Sequence, residues 1–157
     1  MIASLRGLPE LRPDVWDGLD KARRLEALQK AERLIAAAMG RAACDVRTYD
    51  ASPEEAGYFN GLKNAIYLAS DSLEQDAAPE VVATLVHEAR HAYQAWCIKH
   101  PGVHPDNAEV EAWRRNMSNY VDPAVDERAY FAQPIEVDAY AFEEAVERGV
   151  YGGSDDY

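Results

Sequence analysis

The amino-acid sequence predicts a single α+β domain in which a small antiparallel sheet is followed by a mostly helical region. Apolar residues recur at helical spacing from Asp20 to Met39, and Gly40 supplies a helix stop. Two short runs rich in β-branched and aromatic residues, Asp45–Tyr49 and Ala65–Ala69, predict strands. The 157 residues are enough for one hydrophobic core and too few for two ordinary domains.

The remaining predicted elements are bounded by proline, glycine and turn-forming residues. Residues 57–59 predict a strand that pairs with Ala65–Ala69 through the turn-forming run 60–64. Four helical segments are expected after the sheet, at 79–99, 107–120, 123–133 and 134–148, the last of which Gly149 terminates. Residues 1–19 are expected to form an irregular lead-in and residues 150–157 a tail.

The charge balance and the lack of long apolar runs limit the partners of the chain. Its 16 Lys and Arg against 28 Asp and Glu leave a formal net charge of −12, which repels phosphate backbones, so no nucleic-acid partner is expected. No stretch approaches 18 apolar residues, so no membrane span is expected. The first residues lack a signal peptide, which predicts a cytoplasmic location at synthesis and leaves open export by a route without a signal. Cys44 and Cys97 follow no paired spacing and are expected to be buried free thiols, with one long-range disulfide between them as the alternative.

The segment 87–91, His-Glu-Ala-Arg-His, carries the candidate chemistry. His87 and His91 are four residues apart on a predicted helix, so both imidazoles project from one face and can reach one tetrahedral zinc ion at about 2.0–2.1 Å. Glu88 follows the first histidine and can accept a proton from a metal-bound water without occupying a ligand position. With so few histidines in the chain, about 0.01 matches to HExxH are expected by chance.

The alternative is that these histidines are ordinary core or surface residues. The apolar stripe of the helix lies on the opposite face and comprises Val82, Leu85, Val86, Ala89, Tyr93 and Trp96. Thr84 and Ala95 flank the histidines, whereas a solvent face usually carries Lys, Glu or Gln. A face of small residues is typical of the floor of a cleft that another helix covers, which favours the metal-binding interpretation.

A catalytic zinc site needs a third protein ligand and an open position for water. The downstream donors are His100, His104, Asp106, Glu109, Glu111, Glu136 and Asp138. Glu136 is preferred because it begins the last helix, where Ala139, one turn further on, permits a close approach to the histidine helix. The helix dipole alone would also favour a carboxylate at this position. His104 is the alternative, because it follows the Pro-Gly break at 101–102 and can fold back as a loop ligand.

These residues resemble a known family. HExxH, followed some 45 residues later by a helical Glu with Ala three positions on, is similar to the gluzincin-type zinc metallopeptidases. More narrowly, three runs resemble the small zincin domains of bacterial toxin, effector and phage-associated proteins: the strand 64–68, His-Glu-Ala-Arg-His-Ala-Tyr-Gln at 87–94, and Gln-Pro-Ile-Glu-Val-Asp-Ala at 133–139. The likeness covers residues 58–146. The longer metzincin pattern is absent, since Gln94 and Cys97 occupy the positions of its glycine and last histidine.

The resemblance implies a zincin-like fold and a zinc cofactor. It assigns the metal ligands His87, His91 and Glu136, the general base Glu88, and an active-site strand at Ala65–Ala69. The thermolysin-like pattern also has an Asp four residues beyond the ligand Glu, where it orients a ligand histidine. This chain has Tyr140 there and Asp138 two residues earlier, so the pattern does not assign the orienting carboxylate.

The predicted activity is hydrolysis of a peptide bond in a protein or peptide substrate. Zinc would lower the pKa of its bound water, and Glu88 would take the proton and pass it to the leaving amine. Tyr120, Tyr130 and Tyr140 are candidates for the hydrogen-bond donor that stabilises the oxyanion, and Tyr130 is favoured. The substrate is expected to pair with the edge of the strand Ala65–Ala69.

Two other interpretations fit the same sequence. One is a zinc amidase that acts on the cell wall or on another amide. The other is a non-catalytic module whose zinc has four protein ligands, for example with His104 added. An inhibitor or immunity partner is not identified by any motif.

Overall fold

The computed structural model describes residues 1–152 and confirms the predicted α+β class with mostly helical content. The elements, in chain order, are α1 (Ile2–Arg6), a 3-10 helix (Pro9–Leu11), α2 (Pro13–Trp16), α3 (Lys21–Met39), β1 (Asp45–Tyr49), β2 (Gly57–Asn60), β3 (Ala65–Ala69), α4 (Ser70–Gln75), α5 (Ala78–Lys99), α6 (Asn107–Ser118), α7 (Glu127–Ala132) and α8 (Pro134–Tyr151). Within residues 1–152, no helix is both long and apolar enough to cross a membrane.

Capping residues set the ends of several helices. Asp20 precedes α3, and its side chain accepts a hydrogen bond from the Arg23 amide at 2.9 Å, as its N-cap position predicts. Gly40 follows α3 with φ of 73°, the left-handed conformation that glycine adopts without steric cost. The side chain of Asp126 accepts from the Ala129 amide, so α7 begins after this cap and later than the predicted start at residue 123.

The predictions for both chain ends need correction. Residues 1–19 form α1, the 3-10 helix and α2 rather than an irregular lead-in. α8 continues through Gly149 to Tyr151, whereas the sequence predicts a stop at Gly149. A Cβ atom at Gly149 would lie 2.5 Å from Cδ1 of Ile2, so this glycine allows α1 to pack against α8. Of the predicted tail, residues 153–157 lie outside the described residues.

The three strands lie where the sequence predicts them, but the sheet is mixed rather than antiparallel. β3 lies between the other two strands, parallel to β1 and antiparallel to β2. After β1 the chain crosses to the far edge, forms β2, and turns back so that β3 fills the position between them. The predicted substrate-pairing edge at Ala65–Ala69 is therefore wrong, because both edges of β3 are already hydrogen-bonded.

β2 supplies the free edge on its side of the sheet. Ala69 N donates to Ala56 O at 2.9 Å, which makes this a hydrogen-bonded pair of the antiparallel ladder. Hydrogen-bonded and non-hydrogen-bonded pairs alternate, so the main-chain N–H and C=O groups of Gly57 and Phe59 point away from β3. Gly57 also lies close to α5, since a Cβ atom there would come within 3.0 Å of Thr84 Cγ2.

α5 is the central helix of the domain and packs against α3, α6, α8 and β2. Its residues Leu85, Val86 and Ala89 are almost fully buried in the main hydrophobic cluster. His87 and His91 lie outside that cluster and line a cavity. The helix thus has one face in the core and a histidine face toward a cleft, as the distribution of its residues predicts.

Candidate metal centre

The side chains of His87, His91 and Glu136 converge although Glu136 belongs to a different helix. The Nε2 atoms of the two histidines are 3.2 Å apart. The Glu136 carboxylate faces both rings, with Oε2 3.1 Å from Nε2 of His87 and Oε1 2.9 Å from Nε2 of His91. Glu136 and His87 are buried, and the His91 side chain is 16% exposed.

This geometry fits a single metal ion. Donors that surround a tetrahedral zinc ion at about 2.0–2.1 Å are about 3.3 Å from one another. The three observed separations are close to this spacing, and one donor atom of each residue lies within 4.8 Å of the others. The group could therefore hold a metal ion, and two imidazoles with one carboxylate suit several divalent transition metals.

The start of α8 brings Glu136 to the histidines. The buried Asn116 side chain accepts a hydrogen bond from Ile135 N at 2.9 Å and donates to Gln133 Oε1 at 2.8 Å, which fixes the first turn of α8 against α6. Ala139, one turn beyond Glu136, is fully buried. The small residue at this position permits the close approach of α8 to α5 that the sequence predicts.

Glu143 orients the first histidine. Its Oε2 is 2.8 Å from Nδ1 of His87, so the ring donates Nδ1–H to this carboxylate and directs its Nε2 at the centre. The thermolysin-like pattern places this partner four residues beyond Glu136, where Tyr140 stands, so Glu143 is not predicted from the sequence. Seven residues are about two helical turns, so Glu143 lies on the same face of α8 as Glu136. The seven-residue spacing from Glu136 is therefore the sequence signal that could have identified Glu143 as the partner of His87.

A hydrogen-bonded relay orients the second histidine. The fully buried Gln94 side chain accepts from Nδ1–H of His91 at 2.9 Å. Its amide group donates to Asp138 Oδ2 at 2.8 Å and to Ile135 O at 3.0 Å, which fixes the direction of the amide. Arg90 donates to both oxygens of Asp138, at 2.7 and 3.0 Å. Asp138 is therefore not a ligand of the centre, and it acts on His91 through Gln94.

Burial and these hydrogen bonds determine the electrostatics of the centre. Burial raises the pKa of Glu136, but hydrogen bonds from His87 and His91 outweigh it and hold this pKa well below its usual range. Burial lowers the pKa of His87, while its hydrogen bonds to Glu136 and Glu143 outweigh that effect and raise the pKa to about 10. Burial raises the pKa of Glu88, and the charges of the two histidines oppose this shift. A carboxylate with a raised pKa is a better proton acceptor near neutral pH.

All three tyrosines considered from the sequence lie at or next to the centre. The Tyr120 hydroxyl donates to Oε1 of Glu136 at 3.2 Å, and the Tyr130 hydroxyl donates to Oε2 at 3.1 Å. The hydroxyls of Tyr130 and Tyr140 are 3.3 Å apart. Tyr130 is therefore one of two tyrosines in direct contact with Glu136.

The alternative ligand His104 lies away from the cluster. Its Nδ1 is 2.8 Å from the Tyr93 hydroxyl, and its Nε2 is 3.2 Å from Oε2 of Glu109. These contacts hold the loop after α5 and leave His104 without a role at the centre. Cys44 and Cys97 are buried free thiols, as predicted.

Two cavities flank the centre and together form a cleft. The first, here called the apolar half, has a volume of about 320 Å³ and includes Tyr58, Phe59, Met117, Tyr120 and Ile135. The second, here called the acidic half, has a volume of about 360 Å³ and includes Glu54, Glu55 and Glu143. Both halves are lined by Gly57, His87, Glu88 and Tyr130, so they meet at the centre.

The fold and the site define an α+β protein with a candidate metal centre in an open cleft. Comparison of the chain with protein-family models, with curated proteins and with solved structures finds no match in any of the three. The function is therefore argued from the geometry of the site and from the residues that build it.

Replacing Glu143 with alanine is expected to weaken zinc binding about 10–100-fold, because His87 loses the partner that fixes its ring. Competition with a coloured zinc chelator measures the affinity. Glu144→Ala is the matched control, since this neighbouring side chain pairs with Arg148 at the surface, and its affinity should stay within about twofold of wild type. Equal affinities for wild type and Glu143→Ala would contradict the orienting role.

Proposed function

We propose that this chain is a zinc metallopeptidase with a zincin-like fold. The observation that carries the proposal is the convergence of His87, His91 and Glu136, with Glu88 beside them, in an open cleft. Three protein ligands leave one position of a tetrahedral ion for water or substrate, which is the pattern of catalytic rather than structural zinc sites. The resemblance to toxin and effector domains supports a protein as the substrate.

Zinc held by these side chains would supply Lewis-acid chemistry that lowers the pKa of a water molecule and polarises a carbonyl oxygen. Glu88 accepts the proton of the attacking water and delivers it to the leaving amine. Glu143 and Gln94 accept hydrogen bonds from Nδ1–H of the two imidazoles, so the neutral rings would present Nε2 to the ion. Tyr130 and Tyr120, whose hydroxyls lie against Glu136, are the candidates to donate a hydrogen bond to the carbonyl oxygen as negative charge develops on it.

The free edge of β2 supports a peptide as the substrate. Gly57 and Phe59 both line the cleft, and the outward main-chain groups of Gly57 and the C=O of Phe59 are those that a further strand would use, while the Phe59 N–H faces the Glu88 carboxylate. An extended peptide can add to this edge by main-chain hydrogen bonds, which do not depend on its side chains. β2, rather than Ala65–Ala69, is thus the strand that we expect to pair with the substrate.

The test is hydrolysis of unfolded casein by the zinc-loaded protein, measured as release of acid-soluble peptides. We expect release that stops when a chelator removes the metal and returns when zinc is added. A parallel incubation with purified cell wall separates the alternative activities. Hydrolysis of cell wall alone would identify an amidase, and inactivity on both, with zinc confirmed by elemental analysis, would indicate a non-catalytic module.

A further inference from the structure

The candidate cleft continues on both sides of its centre. The apolar half and the acidic half share Gly57, His87, Glu88 and Tyr130, so a chain that lies in one half reaches the other by passing the centre. Their volumes of about 320 and 360 Å³ are similar, and each is at the lower end of the range of about 300–1,000 Å³ that is typical of ligand pockets. Peptide residues can therefore be accommodated on both sides of a scissile bond.

The charges along the cleft argue against recognition of a carboxyl-terminal chain end. A terminal carboxylate is usually held by Arg or Lys, and within residues 1–152 neither residue type lines either half. Glu54, Glu55 and Glu143 line the acidic half and would repel a carboxylate. A peptidase that removes amino-terminal residues needs a cleft that ends close to its centre, whereas the two halves here are of similar size.

Exposed apolar side chains converge on one half of the cleft. Met117 and Tyr120 are 40% and 48% exposed, and both line the apolar half. Ile135 is buried and lies in the same cavity wall, which makes the surface continuous with the core. Covering such a surface with an apolar ligand group removes apolar area from water, which favours binding.

We propose that the protein is an endopeptidase, which cleaves internal bonds of extended chains and selects a large apolar side chain in the apolar half. This inference rests on the proposed function. The reaction consumes one water molecule for each bond: the water oxygen joins the carbonyl carbon, the C–N bond breaks, and a proton passes to the leaving amine. The apolar half would determine which peptide bond is cleaved, because it contacts a side chain of the substrate and not the end of the substrate chain.

The test uses a mixture of synthetic peptides, each prepared with free ends and with its ends blocked by acetyl and amide groups. Mass spectrometry identifies the bonds that the zinc-loaded protein cleaves. We expect free and blocked peptides to be cleaved at the same internal bonds at similar rates. We also expect a large apolar residue to recur at one fixed position relative to the cleaved bond.

Substitution of Met117 tests the selecting surface. Met117→Gln is expected to lower kcat/KM for the preferred peptide about tenfold and to weaken the apolar preference, because it places an amide in the apolar half. Met117→Leu keeps an apolar side chain and should retain the apolar preference and more of kcat/KM than Met117→Gln does. Leu62→Gln is the matched control, since Leu62 is fully exposed in the turn after β2 and does not line the cleft. Zinc content is measured for each variant so that loss of metal is recognised.

Two outcomes would overturn the inference while leaving a zinc peptidase in place. One is cleavage that requires a free chain end, and the other is an apolar preference that Met117→Gln does not change. If the zinc-loaded protein cleaves none of the peptides, the proposed function is wrong and this inference is wrong with it.

Discussion

Glu88→Gln is expected to slow peptide hydrolysis about 10²–10⁴-fold and to leave the zinc content unchanged. Glutamine has nearly the same shape as glutamate, but its amide cannot accept the proton of the attacking water. The candidate metal donors are His87, His91 and Glu136, so binding of the ion is not expected to depend on Glu88. Turnover of a cleaved peptide and elemental analysis of the same preparation measure the two quantities together.

Two further variants complete this experiment. Glu88→Asp keeps a carboxylate but withdraws it by one methylene group, so we expect activity between those of wild type and Glu88→Gln. Glu80→Gln makes the same chemical change at an exposed position in the first turn of α5 and should retain full activity. Full activity of Glu88→Gln would show that the general-base role is wrong while leaving the metal centre intact.

Glu136→Gln is expected to weaken zinc binding by more than about 100-fold, beyond the loss expected when an orienting partner such as Glu143 is removed. The amide has the size of the carboxylate, and its oxygen can still accept a hydrogen bond from one of Tyr120 and Tyr130 while its NH2 group donates to the other hydroxyl, so the fold should be retained. Because the amide carries no charge, it is a much weaker zinc ligand than a carboxylate. Chelator competition measures the affinity, and circular dichroism verifies the fold.

His104→Ala separates the two candidates for the third ligand. We expect its zinc affinity to be unchanged, because the ring bonds to Tyr93 and Glu109 and not to the centre. Glu147→Gln removes a charge from an exposed position of α8 and controls for the general effect of charge. Wild-type affinity in Glu136→Gln, or its loss in His104→Ala, would require a different third ligand.

Much of the local structure could be predicted because its signals lie within a few residues of each other. Asp20 and Gly40 bound α3 through a side-chain cap and a left-handed glycine, and both act on the adjacent turn alone. His87 and His91 share a face because helical spacing fixes their directions. Glu136 could be proposed as their partner from ligand chemistry and from the small residue one turn beyond it. The six-residue helix α4 is too short to give a periodic pattern, and the sequence analysis does not predict it.

The strand order and the extent of α8 depend on packing between segments that are distant in the sequence. The sequence predicts β3 as the edge strand that pairs with the substrate. Strand order depends on the path of the chain, and in the structure β3 is central and β2 is the edge strand. Glycine often ends a helix, but Gly149 does not end α8. Its lack of a side chain instead allows α8 to pack closely against α1. Neither outcome follows from local propensity, because each depends on an element far away in the chain.

The amino-acid sequence alone specified the three strands, the helices after residue 20 except α4, the histidine pair and its neighbouring Glu88, since backbone preference and side-chain periodicity act over one or two turns. The tertiary structure decided which partners orient the histidines. Glu143 and Asp138 reach them only because α8 lies across α5, one directly and one through Gln94. Hydrogen bonds require approach to within about 3 Å, and only the packing of two helices determines which of many carboxylates comes that close.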